Sequence, residues 1–137
     1  MVAVVLDCSA ALSWLMPDED GPQARNLRAL VTDEGAIVPM LWPIELGNVF
    51  VFAVRNRRLN PAQRAAAIAA IRQLPIEIDR ETLSRIWTAT LELADKLRLT
   101  VYDACYLELA QRRRLPLATF DKELRSAAKK LNVPLLA

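Results

Sequence analysis

Val2-Ala3-Val4-Val5-Leu6-Asp7 decides the fold. Its apolar residues run without the alternation of a half-solvated strand, which predicts a short strand buried on both faces, as in a parallel sheet. Outward from it, strand-like and helix-like segments alternate. Ser9 is expected to cap a short helix lasting through Met16, stopped by Pro17. Further helices are predicted over residues 22–31 (ending near Gly35), 41–57, 61–73, 81–96, 101–113 and 122–131. Residues 36–38, 75–78 and 117–119 read as strands and 134–136 as an edge strand. The alternation predicts an α/β fold with three layers, in which helices flank a central parallel sheet of four to five short strands.

The 137 residues, 53% of them hydrophobic, suffice for one packed domain over 1–137, and three glycines argue against a loop-rich chain. The net charge of +2 is unevenly spread: residues 1–50 hold two basic and seven acidic side chains, while the remainder holds sixteen basic and nine acidic. An acidic part beside a basic one suits a metal pocket flanked by phosphate-binding surface, although taken alone it is more simply read as ordinary solvated faces. Cys8 and Cys105 lack metal-ligand spacing. No charged-then-apolar leader or apolar run near ~18 residues is present, so a soluble cytoplasmic protein with reduced thiols and no membrane contact is expected. The absence of histidine excludes histidine-based acid–base catalysis, triads with a histidine base and histidine-rich zinc or iron sites.

Any such chemistry must then rest mainly on carboxylates, and four stand out: Asp7, Glu45, Asp103 and Asp121. Asp7 and Asp121 directly follow strand-like runs, so both are expected at the carboxyl ends of strands, where ligands gather in open parallel sheets. Asp103 falls in the first turn of its helix. Glu45, read as mid-helix, shares an i, i+4, i+8, i+11 stripe with Leu41, Val49 and Phe52, with Asn48 beside it. Clustered carboxylates beside apolar surface repel one another and are poorly solvated, which a divalent cation would relieve. Oxygen donors suit Mg²⁺ or Mn²⁺. Each aspartate also has a structural explanation. Asp121 can cap the last long helix, Thr100 and Asp103 fit a capping box, and Asp7 can stabilise a turn.

Nearly end to end, the chain resembles the PIN-domain ribonucleases, and within them the VapC-type toxins of bacterial toxin–antitoxin modules. The resemblance rests on Leu6-Asp7-Cys8-Ser9-Ala10, on Glu45 with Asn48 and Phe50, on residues 102–110 around Asp103, and on residues 117–124 around Asp121. It implies a metal-dependent endoribonuclease in which Asp7, Glu45, Asp103 and Asp121 form the acidic set. Asp7 and Asp103 would be direct ligands of one or two Mg²⁺ or Mn²⁺ ions, Asp121 a ligand of a second ion or one acting through water, and Glu45 the residue that orients the water. Ser9, Asn48 and Thr119 would support the ligands or contact phosphate. Metal-activated water would cleave RNA phosphodiesters, leaving 5′-phosphate and 3′-hydroxyl ends. An RNA substrate, a cognate antitoxin and homodimerisation follow from the same resemblance.

Arg112-Arg113-Arg114 and Arg55, Arg57 and Arg58 are candidate RNA-backbone contacts, with solvated helix ends as the plainer reading. Trp14, Trp42 and Trp87 could stack on bases but more commonly serve core or interface. A phosphoacceptor receiver would want a second acid beside Asp7, where Cys8 stands; a haloacid-dehalogenase-type phosphatase would want an aspartate where Ser9 stands. The alternative of another class is a non-catalytic RNA-binding or antitoxin-binding module on the same fold.

Overall fold

The computed structural model describes residues 2–19 and 21–136. In chain order its elements are β1 (Val4–Leu6), α1 (Cys8–Leu15), α2 (Pro22–Glu34), β2 (Ala36–Val38), α3 (Trp42–Arg55), α4 (Pro61–Gln73) and β3 (Ile76–Ile78). Then follow α5 (Thr82–Arg85), a π-helical turn (Ile86–Thr90), α6 (Leu91–Leu97), α7 (Val101–Arg113), β4 (Leu117–Ala118), α8 (Lys122–Lys130) and β5 (Leu135–Leu136).

All neighbouring strands pair in parallel, in the order β3-β2-β1-β4-β5. The expected α/β architecture is therefore present, with five strands. The uninterrupted apolar run of β1 has its explanation here: Val4, Val5 and Leu6 are fully buried at the centre of the sheet. From β1 the chain builds outward through β2 and β3, then crosses to the other side for β4 and β5. The switch point lies between β1 and β4, where an open parallel sheet forms its crevice. Leu6 pairs with Ala118, so the residues that follow these two strands emerge side by side.

Local chemistry fixes the helix ends. Asn60 and Gln63 form a complete capping box at the start of α4. Gly35 ends α2 with φ 83°, a backbone conformation that side chains disfavour. α7 is buried from Ala104 to Ala110, as befits a helix packed between other elements.

The single helix expected over 81–96 is replaced by α5, the π-helical turn and α6. Within Ile86-Trp87-Thr88-Ala89-Thr90, three residues are β-branched and one is aromatic, so the α conformation is weakly favoured. The Leu91 N–H accordingly bonds the Ile86 carbonyl, five residues back.

Candidate active site

Asp7 leaves β1 at its carboxyl end and is 5% exposed. Its backbone N–H donates to the Ala118 carbonyl at 3.2 Å, holding it level with the end of β4. One carboxylate oxygen accepts from the Ala10 N–H and the Ser9 hydroxyl, each at 2.8 Å. The other accepts from the Thr119 hydroxyl. Asp7 is thus the N-cap of α1, the place expected for Ser9. The helix begins at Cys8, so the extended residue whose side chain reaches an N–H three positions on is Asp7. The Ser9 hydroxyl turns back to Asp7 and accepts the Phe120 N–H at 2.9 Å. Thr119 accepts the Asp121 N–H at 3.0 Å. The two hydroxyls singled out in the sequence therefore meet at Asp7.

Glu45 lies in the first turn of α3, not mid-helix. The buried stripe of α3 is Trp42, Leu46, Phe50 and Ala53. It lies one residue on from the stripe expected through Leu41, Glu45, Val49 and Phe52, a rotation of roughly 100°. Phe52 is 47% exposed, whereas Trp42, with its larger apolar surface, takes the core. Glu45 consequently sits half-buried at the margin of the buried face, near the positive end of the helix dipole. Asn48, one turn on, is exposed.

Asp103 occupies the first turn of α7, and its backbone N–H bonds the Thr100 hydroxyl at 3.1 Å. Asp121 caps α8 by accepting the Leu124 N–H at 2.9 Å. The capping expected of Asp121 is real, and it coexists with a place at the switch point.

The acids feel one another. Burial, then Asp121, Glu45, Asp7 and Glu123, push the Asp103 carboxyl from 3.8 up to about 6. Burial raises Asp7 against the pull of its three hydrogen bonds, with Asp121 adding repulsion. Burial likewise raises Glu45, opposed by a hydrogen bond from Tyr106 and reinforced by Asp7. Such a field favours whatever brings positive charge. The donor set is all oxygen and matches a hard divalent cation in kind. Among the described residues, however, no three of His, Cys, Asp and Glu stand close enough to hold an ion as their side chains are placed. A cleft of about 690 Å³, lined in part by Ser9, Ser13, Phe120 and Asp121, opens on the Asp121 side of the set.

Sequence reasoning missed Tyr106, whose hydroxyl donates to Glu45 at 2.5 Å. Its apolar helical setting gave no signal, because Tyr and Phe are interchangeable in a hydrophobic pattern. Cys8 is no nucleophile: burial, with repulsion from Glu45, raises its thiol to about 12.

The arginines divide. Arg112 is enclosed in an ion-pair network with Asp79 (2.7 Å), Glu108 (2.8 Å) and Glu81 (3.2 Å), its side chain 13% exposed. It is therefore occupied within the fold, whereas Arg113 and Arg114 are exposed. Arg58 pairs with Asp18 and Glu19, and Arg55 stacks over the Phe52 ring. Trp42 is buried, Trp14 is partly buried and Trp87 is 82% exposed.

Known proteins bear out the architecture. The PIN domain family model matches residues 4–130. No curated relative matches the chain. Among solved structures, PAE2754 from Pyrobaculum aerophilum superposes with a TM-score of 0.71 at 20% identity, over 98% of this chain and 83% of that one. Mycobacterium tuberculosis VapC20, described as a sarcin–ricin loop cleaving toxin, superposes with a TM-score of 0.58 at 18% identity, over 91% of this chain and 95% of that one. Neither likeness, at such identities, carries more than the fold. Matched over nearly its whole length, the chain belongs to the PIN-domain family, whose members are generally nucleases.

Proposed function

We propose that this protein is a metal-dependent endoribonuclease acting as the toxin of a toxin–antitoxin pair, with Mg²⁺ or Mn²⁺ as cofactor. The observation that carries the reading is the gathering of Asp7, Glu45, Asp103 and Asp121 near the β1–β4 switch point, where burial, reinforced by repulsion from the other three, raises Asp103 to about 6. Asp7, Asp103 and Asp121 would hold one or two ions, and Ser9 and Thr119 fix the Asp7 carboxylate by donating to it. A bound divalent cation supplies a nucleophilic water at neutral pH and charge for the departing oxygen. Glu45 orients that water by accepting its proton-bearing side, and exposed Asn48 offers an amide to a phosphate oxygen. Arg113 and Arg114, exposed at the end of α7, attract the RNA backbone without reading its sequence. The products carry 5′-phosphate and 3′-hydroxyl ends.

The likeness to VapC20, described as a sarcin–ricin loop cleaving toxin, supports RNA as substrate and an antitoxin as regulator. Free Cys8 and Cys105 accord with a reducing cytoplasm. Exposed Leu83 (62%) and Trp87 (82%) supply apolar surface for a homodimer. No described helix is long and apolar enough to cross a membrane.

The test is incubation of antitoxin-free protein with total cellular RNA and Mg²⁺ or Mn²⁺, beside EDTA and an Asp7→Asn variant. Discrete 5′-phosphate fragments that disappear with EDTA and in the variant are expected. A folded protein that cleaves nothing under either metal would instead indicate a non-catalytic RNA-binding or antitoxin-binding module.

A further inference from the structure

Tyr106 carries a buried hydroxyl to which the proposed chemistry gives no task. The residue is 2% exposed, lies one turn after Asp103 on α7 and packs its ring in the main core. A phenylalanine would fill nearly the same volume. The polar atom is what requires explanation, because a hydroxyl taken out of water must find a partner. Its partner is Glu45 Oε1, at 2.5 Å, on an element 61 positions away in the chain. Cys8 Sγ also lies 3.9 Å from the Tyr106 hydroxyl and donates to the Trp42 carbonyl at 3.6 Å. The Tyr106 hydroxyl thus ties the α3 acid to α7, the helix that carries Asp103, with Cys8, next to Asp7, against the same hydroxyl.

Resting on the nuclease reading above, we propose that Tyr106 is a positioning residue: its hydroxyl fixes the Glu45 carboxylate in the orientation the reaction uses. Glutamate has three side-chain torsions to settle, and at a half-buried site a single charge-assisted hydrogen bond selects among them. Holding one oxygen leaves the second for water. Burial raises the phenol's pKa, so the hydroxyl remains a donor throughout the working pH range.

The experiment is a double-mutant cycle of Tyr106→Phe with Glu45→Ala, reading the initial rate of 5′-phosphate ends formed in total cellular RNA with Mn²⁺. Tyr106→Phe is expected to lower the saturated rate about 10- to 100-fold, the range for partners that orient site ligands, with half-saturating RNA unchanged. In the Glu45→Ala background the same substitution should change the rate less than about twofold, since the group it acts through is gone. A merely structural role would lower the rate equally in both backgrounds, and that result, or no loss in either, overturns the proposal. A second readout needs no metal: the Glu45 side-chain carboxyl ¹³C resonance, displaced from those of exposed glutamates in the parent protein, should join them in Tyr106→Phe. An unmoved resonance also overturns it. The two failures are separable. An inert parent protein removes the nuclease reading and Tyr106's task with it, whereas an active parent with equal losses in both backgrounds removes the task alone.

Discussion

Asp7 holds two positions at once, as helix cap and as member of the acidic set, and the two can be separated by one substitution. Asparagine caps helices as well as aspartate does. Asp7→Asn should therefore stay folded, within about 1 kcal/mol of the parent by thermal unfolding, while RNA cleavage falls to background. Asp103 gives the complementary case. Its carboxyl is raised from 3.8 to about 6 by burial and neighbouring acids, so the folded state resists its ionisation. The favourable contribution of this group is complete below its unfolded pKa and is lost as pH rises through about 6. In metal-free protein, Asp103→Asn should raise the unfolding temperature above the parent's near neutral pH. The gain should be on the order of 1 kcal/mol after allowance for partial exposure, and should vanish in acid. Equal curves for the two proteins across that window would contradict a shared acidic field. The same acids explain what a sequence can show at this scale. Chain position after a strand marks Asp7 and Asp121, but nothing in the residue string marks Tyr106 as a hydrogen-bond donor instead of a ring.

Among the elements, α7 is the keel: it carries Asp103 and Tyr106 in its first half and Glu108 and Arg112 farther along. Asp79 and Glu108 are 4% and 5% exposed, and the Arg112 guanidinium compensates both while reaching Glu81. Although burial opposes it, that guanidinium keeps the Asp79 carboxyl below its usual value. Arg112→Ala should strand two buried carboxylates and cost about 3–5 kcal/mol in chemical denaturation, far more than Arg113→Ala at an exposed site. Arg112, read from the sequence as an RNA-backbone contact or a solvated helix end, is instead paired with Glu108 at i, i+4 and, across the fold, with Asp79, a contact no local spacing marks. Element type read well wherever a cap or breaker spoke clearly, as at Asn60-Pro61 and Gly35. It failed where tertiary packing arbitrated. Trp42 claimed the core and turned α3 by one residue, and the β-branched run after Ile86 widened a helix that periodicity alone describes as continuous.

Across the whole molecule, the sheet order makes the pocket a meeting of distant segments, and the alternation of apolar runs foretold that layout because parallel strands need helical crossovers. What it could not foretell is which surfaces stay apolar. Trp87 at 82% and Leu83 at 62% exposure form such surface, and Trp87→Asp should shift the protein to monomer in light scattering with its unfolding temperature unchanged within a few degrees. A variant that stays dimeric would place the contact elsewhere, and a monomeric parent would remove it. One last consequence concerns time. The hydroxyl that grips Asp7 comes from Thr119, 112 positions later, and Asp121 lies beyond that. A ribosome releases the first strand early, yet until the fourth has emerged and slotted in beside it, Asp7 lacks its clasp and the acidic set its final member. On the nuclease reading, a polypeptide that has emerged only through β3 lacks both that clasp and Asp121, and so cannot yet cut.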